Sequence, residues 1–465
     1  MFRDNNSSRP LSASKSSRRD VLKVGGTVVA GSILAGMTVP QVHAAEDNTI
    51  RLALIGCGGR GSGAVGNAIS AAGRPESGGP VKLVAMADVR ESRLTTAHDN
   101  LSKRFADHVD VPSERRFVGF DAYRKAIDCL RPGDVALLTT HAGFRPVHLD
   151  YAVEKGLNVF MEKTFASDPG GLKRMLRAGE AAEKKRLKIG AGLMCRHSPN
   201  RQQLIDKIRA GELGEVPFIR AYRLFRAVGG MPKKPEGESD LLWQAAGGAR
   251  SSLLWPAAGI MIDMLIHQID ECCWIKDAWP VAVQGLGGWE PRANDGGQNH
   301  HAYAMEYTFP DGAIARIDGA AGPNGKTDFV TYLHATHCAA QFSGAVHRSD
   351  AHTYKDQRID KTNITWKATP ETKPLHEYEW AVLLDAIRKD RPHNETQRAV
   401  YANYAALMGR AAVHMGKVIT WEQMLASDFQ FVPNIDQLDH DSPPPVKLDA
   451  EGRFPTPIPG RWTEI

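Results

Sequence analysis

The stretch that most constrains this chain is Ile50, Arg51, Leu52, Ala53, Leu54 and Ile55, followed at once by Gly56, Cys57, Gly58, Gly59, Arg60 and Gly61. A short apolar run of strand character breaks into a glycine cluster, and a helix-compatible segment follows. Gly56, Gly58 and Gly61 fit the spacing G-x-G-x-x-G. In that arrangement the first glycine makes a tight turn, the second lets the backbone approach a pyrophosphate, and the third allows close helix–strand packing. The helix that follows would point its N-terminal N–H groups and positive dipole end at the phosphates. With 44 glycines in the chain, an ordinary glycine-rich turn gives the same match. Context favours the nucleotide reading: a second strand, 81–87, ends at Asp88, where a ribose-binding acid would stand, and the insert 73–80 accounts for its distance from the loop.

The chain has 465 residues, more than a single core usually holds, so two domains are expected. Its hydrophobic share of 42% and charged share of 24% are those of a soluble globular protein. The net charge of +5 is concentrated at one end. Residues 1–44 hold six basic side chains (Arg3, Arg9, Lys15, Arg18, Arg19, Lys23) against Asp4 and Asp20, leaving about +1 for the rest. That distribution gives no support to a nucleic-acid partner. Ser17, Arg18, Arg19, Asp20, Val21, Leu22 and Lys23 resemble the twin-arginine export motif. An apolar, glycine-rich segment (24–39) follows, then Val42, His43 and Ala44 as a small-residue cleavage site. The apolar run is shorter than a spanning helix needs. Residues 1–44 are therefore expected to be a removable leader for export to the periplasm, leaving no permanent membrane anchor.

Beyond Asp88, helical periods (91–105, 122–130, 146–155) alternate with apolar runs at 135–139 and 158–161, as in a parallel sheet buried on both faces. The carboxyl edges of such strands face the ligand. They place Thr139, Thr140 and His141, then Glu162 and Lys163, beside the glycine loop. A lysine at a strand's carboxyl end can reach both nicotinamide ribose and substrate, or remain a solvated surface residue. A helix at 168–186, a strand at 188–191 and a helix at 200–210 follow. Then the pattern changes to alternating strands at 216–225, 303–309 and 313–317, the last two joined by Pro310, Asp311 and Gly312. The fold class is thus α/β: an N-terminal Rossmann doubly wound parallel sheet (48–165), then a C-terminal α+β domain (166–430) with a large, mostly antiparallel sheet. A proline-rich tail occupies 431–465. Residues 229–249 read as a loop near the substrate mouth.

Residues 259–274 read as a helix in which Asp263 and His267, four apart, share a face. A carboxylate and an imidazole one turn apart can exchange protons or hold a substrate hydroxyl; a surface pair has the same spacing. No third ligand accompanies them and the six cysteines form no C-x-x-C pair, so no metal site is expected.

Together these segments resemble the Gfo/Idh/MocA family, the relatives of glucose–fructose oxidoreductase and inositol dehydrogenase. The likeness lies in the glycine loop and Asp88; in the run 156–164, similar to the family's A-G-K-H-V-x-x-E-K-P; and in Asp263 to His267, similar to its D-x-x-x-H helix. Asn394, Glu395, Gly409, Arg410, Gly416, Lys417 and Trp421 look like the C-terminal pattern of the exported branch. Thr164 stands where the family has proline. The resemblance implies a catalytic trio of Lys163, Asp263 and His267, with His267 the main acid/base and Lys163 linking cofactor and substrate. It implies a cofactor site of Gly56, Cys57, Gly58, Gly59, Arg60, Gly61, Asp88, Thr139, Thr140, His141, Glu162 and Lys163. Arg196, His197 and Tyr222 fall where relatives line the sugar pocket. Asp88 points to NAD over NADP, because a carboxylate accepts from a 2′-hydroxyl and repels a 2′-phosphate. A homo-oligomer, dimer or tetramer, is implied as well. An exported enzyme cannot draw on the cytoplasmic NAD pool, so the cofactor is expected to be loaded before export and retained. Three functions remain open: an NAD-dependent oxidoreductase acting on a sugar, polyol or glycoside; a glycoside hydrolase or lyase working through transient oxidation; and a non-catalytic sugar-binding protein.

Overall fold

The computed structural model describes residues 48–74, 78–226, 233–247, 252–288, 297–322 and 325–465. The expected leader (1–44) lies outside them. Among the described residues the first sheet has six parallel strands: β1 (Ile50–Ile55), β2 (Val81–Asp88), β3 (Arg116–Val118), β4 (Val135–Leu138), β5 (Asn158–Met161) and β6 (Ile189–Ala191). Their spatial order is β3-β2-β1-β4-β5-β6, the doubly wound topology expected from the alternation of strand and helix. β4 and β5 are buried along their whole length, as strands covered on both faces must be.

Helices α1 (Gly59–Ala72), α2 (Glu91–Arg104), α3 (Ala122–Ile127), α4 (Arg145–Glu154), α5 (Pro169–Lys184) and α6 (Pro199–Arg209) surround that sheet and lead out of it. The second sheet follows, with β7 (Phe218–Arg226), β8 (Ala282–Gly288), β9 (Ala302–Thr308), β10 (Ile314–Gly322) and β11 (Asp328–His334). It is extended by β12 (Ala339–Ser343), β13 (His352–Tyr354), β14 (Ile364–Lys367) and β15 (Ile419–Thr420). These strands run in the order β14-β13-β12-β11-β7-β10-β9-β8-β15, antiparallel except for the parallel pair β7 and β10. The remaining helices are α7 (Asp240–Ala245), α8 (Leu254–Ala257), α9 (Ile260–Lys276), α10 (Leu375–Arg388), α11 (Thr396–Met415) and α12 (Trp421–Ala426). No described helix is long and apolar enough to cross a membrane.

The parallel sheet does not stop at residue 165. β6 completes one edge, and α10 returns from far along the chain to cover one face. Trp380, Leu383, Leu384 and Ile387 of α10 join the core built on Leu52 and Leu54 of β1, with Trp380 stacked on Phe160 at 4.4 Å. α9 is covered on one side by the second sheet and on the other by α11. Asn403 of α11 accepts from the backbone N–H groups of Phe165 (2.7 Å) and Ala166 (3.2 Å), tying the bundle to the segment just after Lys163.

The segment expected as a loop at 229–249 contains α7 in its described part, capped by Ser239, whose hydroxyl accepts from Leu242 N. Residues 229–232, 248 and 249 lie outside the described residues. The proline-rich tail forms no helix or strand beyond a short 3-10 turn at Ile435–Gln437 and a few tight turns, yet it buries Phe454 and Glu464.

Candidate functional site

A cleft opens at the carboxyl ends of β1, β2 and β4. It is lined by Gly56, Gly58, Gly59, Arg60, Gly61, Asp88, Thr139, Thr140 and His141, all expected in the cofactor set. The three glycines differ physically. Gly56 has φ +100°, a conformation that L side chains rarely adopt. A Cβ on Gly61 would strike the Gly56 carbonyl oxygen and lie 2.7 Å from Thr139 Oγ1. A Cβ on Gly58 would meet nothing within 4 Å, so that space is open to a ligand. No side chain caps α1 and no acid occupies its first turn, which leaves its leading N–H groups facing the cleft. The Asp88 carboxylate is held by backbone donors, Cys57 N at 2.7 Å and Arg90 N at 2.8 Å. Cys57 itself is buried, and its thiol is pushed well above the ordinary range by burial and then by Asp88. It does not line the cleft and packs as an apolar filler.

These features fit a dinucleotide: an open cradle at Gly58, an uncapped helix end, and an oriented carboxylate at the ribose position. They separate two substitutions. Gly61→Ala is expected to destabilise the fold by about 1–3 kcal/mol through overpacking. Gly58→Ala should leave thermal unfolding of the cofactor-free protein within about 0.5 kcal/mol of wild type while weakening nucleotide binding. Calorimetric unfolding and nucleotide titration of both variants check this.

The cleft runs into a second cavity lined by Arg145, Glu162, Lys163, Thr164, Ile260 and Asp263, and Arg60, Thr139, Thr140 and His141 line both. Lys163 Nζ donates to the Asp263 backbone oxygen (2.7 Å) and to its Oδ1 (2.8 Å). The Lys163–Thr164 peptide is cis. Thr164, where the family has proline, adds a donor: its hydroxyl reaches the same Asp263 oxygen at 3.1 Å. Arg60 Nε donates to Glu162 at 2.6 Å across the floor shared by the cavities. Arg145 is fully buried and donates to the carbonyls of Thr140 and Thr164, bracing both strand edges; burial lowers its pKa to about 10, against the nearby Glu162 and Asp263.

His267 lies one turn beyond Asp263 on α9. Its ring is buried, 6.4 Å from the Phe329 ring, and Nδ1 has no partner among the described residues. Burial holds its pKa well below 6.5, reinforced by the positive charges of Lys163, Arg223 and Arg201.

Among the expected substrate residues, Arg196 is held by both Asp270 carboxylate oxygens (2.8 and 2.9 Å) and lies over Trp274. His197 faces Glu395 at 3.2 Å. Neither lines the two cavities. Tyr222 does not line them either. Along β7, Ile219, Ala221 and Arg223 face α9, so Tyr222 points to the opposite side of the sheet, near Arg220. A strand alternates its side chains, so the residues on either side of Tyr222 face the helix and Tyr222 does not.

Other cleft residues carried no sequence signal strong enough to single them out. Gly119, Phe120 and Tyr123 come from the β3–α3 connection, Phe144 from the start of α4, and Ala245 and Ala246 from the end of α7. Gly119, at φ +130°, ahead of an aromatic pair was the one available hint.

No protein-family model matches the chain. It is 26% identical over 170 residues to the rhizopine catabolism protein MocA of Rhizobium meliloti, covering 35% of this chain and 45% of MocA. The chain thus spans about half the length of that curated relative. Aldose-aldose oxidoreductase from Caulobacter crescentus superposes with a TM-score of 0.61 at 15% identity, over 80% of this chain and 99% of that one. The likeness is one of fold: a six-stranded parallel sheet joined to a large, mostly antiparallel one. Scyllo-inositol dehydrogenase from Lactobacillus casei, solved with NAD(H) and scyllo-inositol, is similar in fold with a TM-score of 0.56 at 17% identity, over 82% and 100% of the two chains. Myo-inositol 2-dehydrogenase from Lactobacillus plantarum gives 0.57 at 16% identity, over 80% and 99%.

Proposed function

We propose that this chain is an exported NAD-dependent oxidoreductase acting on a sugar, polyol or glycoside and keeping its cofactor. The observation that carries this reading is the junction of the two cavities. A cradle suited to a dinucleotide opens, across Arg60, Thr139, Thr140 and His141, onto the Lys163–Asp263 pair. NAD held there would supply the hydride acceptor for a carbinol carbon, with the hydride then passed to the carbonyl of a second substrate so that the retained cofactor is reoxidised. His267, kept neutral by burial, accepts the hydroxyl proton. Lys163, fixed by two bonds to Asp263, donates to the substrate oxygen and stabilises it as charge develops. Asp263 and Thr164 set the aim of Lys163 and contribute no proton of their own.

Retention has support of its own. Arg90 pairs with Glu238 and donates to the Ala246 carbonyl (3.2 Å), which also accepts from Arg93 (2.6 Å), so the α7 segment is tied across the nucleotide cleft. Its outer side is fastened by the tail: Gln244 donates to Val446 O at 2.6 Å, and Trp243 packs on Phe454 at 5.9 Å. The Asp88 carboxylate, held at the ribose position by the N–H groups of Cys57 and Arg90, supports NAD over NADP, and Arg90 itself is engaged by Glu238.

Difference spectra of the purified protein with a panel of sugars, polyols and glycosides test the reading. Reduction of bound nicotinamide by at least one of them is expected. Aglycone release without net reduction would transfer the chain to the transient-oxidation hydrolases. The pH profile has a definite sign. The neutral imidazole is the active form and its pKa is depressed below 6.5, so His267 stays competent as pH falls through that value. The acid limb of kcat/KM, followed over about pH 5–8, should therefore lie below the ordinary histidine range. A midpoint near 6.5 would contradict the buried, neutral base.

A further inference from the structure

We propose that Arg223 selects an acidic substrate, binding a carboxylate such as that of a hexuronic acid beside His267. This deepens the oxidoreductase reading and rests on its placement of the site.

Arg223 sits on the α9-facing side of β7, directly opposite Phe329 of β11 in the strand register. Its guanidinium carbon lies 5.2 Å from the Phe329 ring centroid and 5.6 Å from that of Phe225. His267 flanks the same Phe329 ring at 6.4 Å, so the two side chains share one wall. Nη2 reaches Met264 Sδ at 3.7 Å, on the turn of α9 between Asp263 and His267.

Four other cations around the site are paired with carboxylates, while the fully buried Arg145 is held by the carbonyls of Thr140 and Thr164. Lys163 pairs with Asp263 (2.8 Å), Arg60 with Glu162 (2.6 Å), Arg196 with Asp270 (2.8 Å) and Arg201 with Glu271 (3.1 Å). Among the described residues no carboxylate contacts Arg223, and its Nε is buried with no hydrogen-bond partner. Burial lowers its pKa, and no acid offsets that effect. A half-buried guanidinium whose Nε is shut from solvent and unpaired is costly in the free protein. A ligand oxyanion supplies what is missing. The planar fork of a guanidinium matches the two oxygens of a carboxylate, and the flanking aromatic rings exclude water and hold the fork in plane.

The test is equilibrium binding, by calorimetry, of glucuronate and galacturonate against glucose and galactose, with glucose 6-sulfate as a second anionic arm. Wild type, Arg223→Gln, Arg223→Lys and Arg220→Gln are compared, the last being a change on the opposite face of β7. Wild type should bind a uronate in preference to its neutral hexose. Arg223→Gln should weaken uronate binding by about 30-fold or more, the size expected when one partner of a desolvated charge pair is removed. Neutral sugars should bind both proteins alike, and Arg220→Gln should behave as wild type. Arg223→Lys keeps the charge without the fork and should recover only part of the affinity. Equal binding of uronate and hexose by wild type, or an equal effect of Arg223→Gln on both, overturns the proposal. Preference for the sulfate over both uronates overturns the carboxylate assignment. Uronate binding that depends on Arg223 but never reduces bound nicotinamide would leave Arg223 standing and remove the oxidoreductase reading.

Discussion

Replacing His267 by alanine is expected to lower kcat by about 10²- to 10⁴-fold, the usual contribution of a positioned acid/base, with NAD still bound. The nucleotide contacts lie in the cleft between β1, β2 and β4, and His267 does not line it. The helix should survive. His267 lies in the middle of α9, alanine favours that conformation, and the imidazole Nδ1 makes no hydrogen bond whose loss would count against folding. The cavity left beside Phe329 will reduce stability somewhat, so the thermal midpoint is measured alongside turnover. His267→Gln fills more of that space yet cannot take up a proton, and it should be as inactive as the alanine variant. Turnover within about threefold of wild type in either variant would remove His267 from the proton-transfer role.

Glu464→Gln is expected to destabilise the protein by about 3–5 kcal/mol, the range seen when one partner of a buried ion pair is removed. Although it is the penultimate residue, Glu464 is buried, and it accepts from Arg410 Nε (2.7 Å), His414 Nδ1 (3.1 Å) and Trp462 Nε1 (2.8 Å). Arg410 is equally buried. Its other nitrogens donate to Ala258 O (2.9 Å) and Ser167 O (3.0 Å), so it anchors both the entry to α9 and the chain just beyond Lys163. Losing the carboxylate would strand a buried guanidinium at the base of the site. The charges of Arg410 and His414 outweigh desolvation and hold the Glu464 pKa at about 2, down from 4.5. A depressed carboxylate pKa stabilises the fold fully above 4.5, and that stability is lost as pH falls toward about 2. The wild-type advantage over Glu464→Gln in urea unfolding should therefore be constant near neutrality and shrink between those pH values. A variant as stable as wild type would mean that the tail is not an integral part of the fold.

The elements that position the cradle were legible because their signals are local. A continuous apolar run reads as a strand buried on both faces, and a glycine cluster at its end reads as a tight turn, so β1, β2, β4 and β5 emerged from sequence pattern alone. The pairing of Lys163 with Asp263, 100 residues apart, could be approached only through the family resemblance. α10 was recognised as a helix, but its return to the first sheet was not, since no periodicity records which distant core a helix will cover. The strands β11 to β14 went unnoticed, and α7 was hidden in a stretch rich in glycine, proline and lysine despite Ser239 at its cap. Both faces of β7 carry arginine and aromatic side chains, Arg220 and Tyr222 on one, Arg223 and Phe225 on the other. Ile219 and Ala221 mark the inward face in the first half of the strand, but the polar–apolar contrast is lost in the second half, where the packing of α9 decides it.

Retention of a dinucleotide beneath the α7 segment is read from the nucleotide content of protein purified without added cofactor. Acid-precipitated protein should release close to one equivalent of NAD, and NADP should be absent. That NAD should persist through extended dialysis of wild type and be lost on dialysis of Glu238→Ala, which unties Arg90 from the segment. Protein that emerges free of nucleotide and does not take up NAD on incubation would contradict the account.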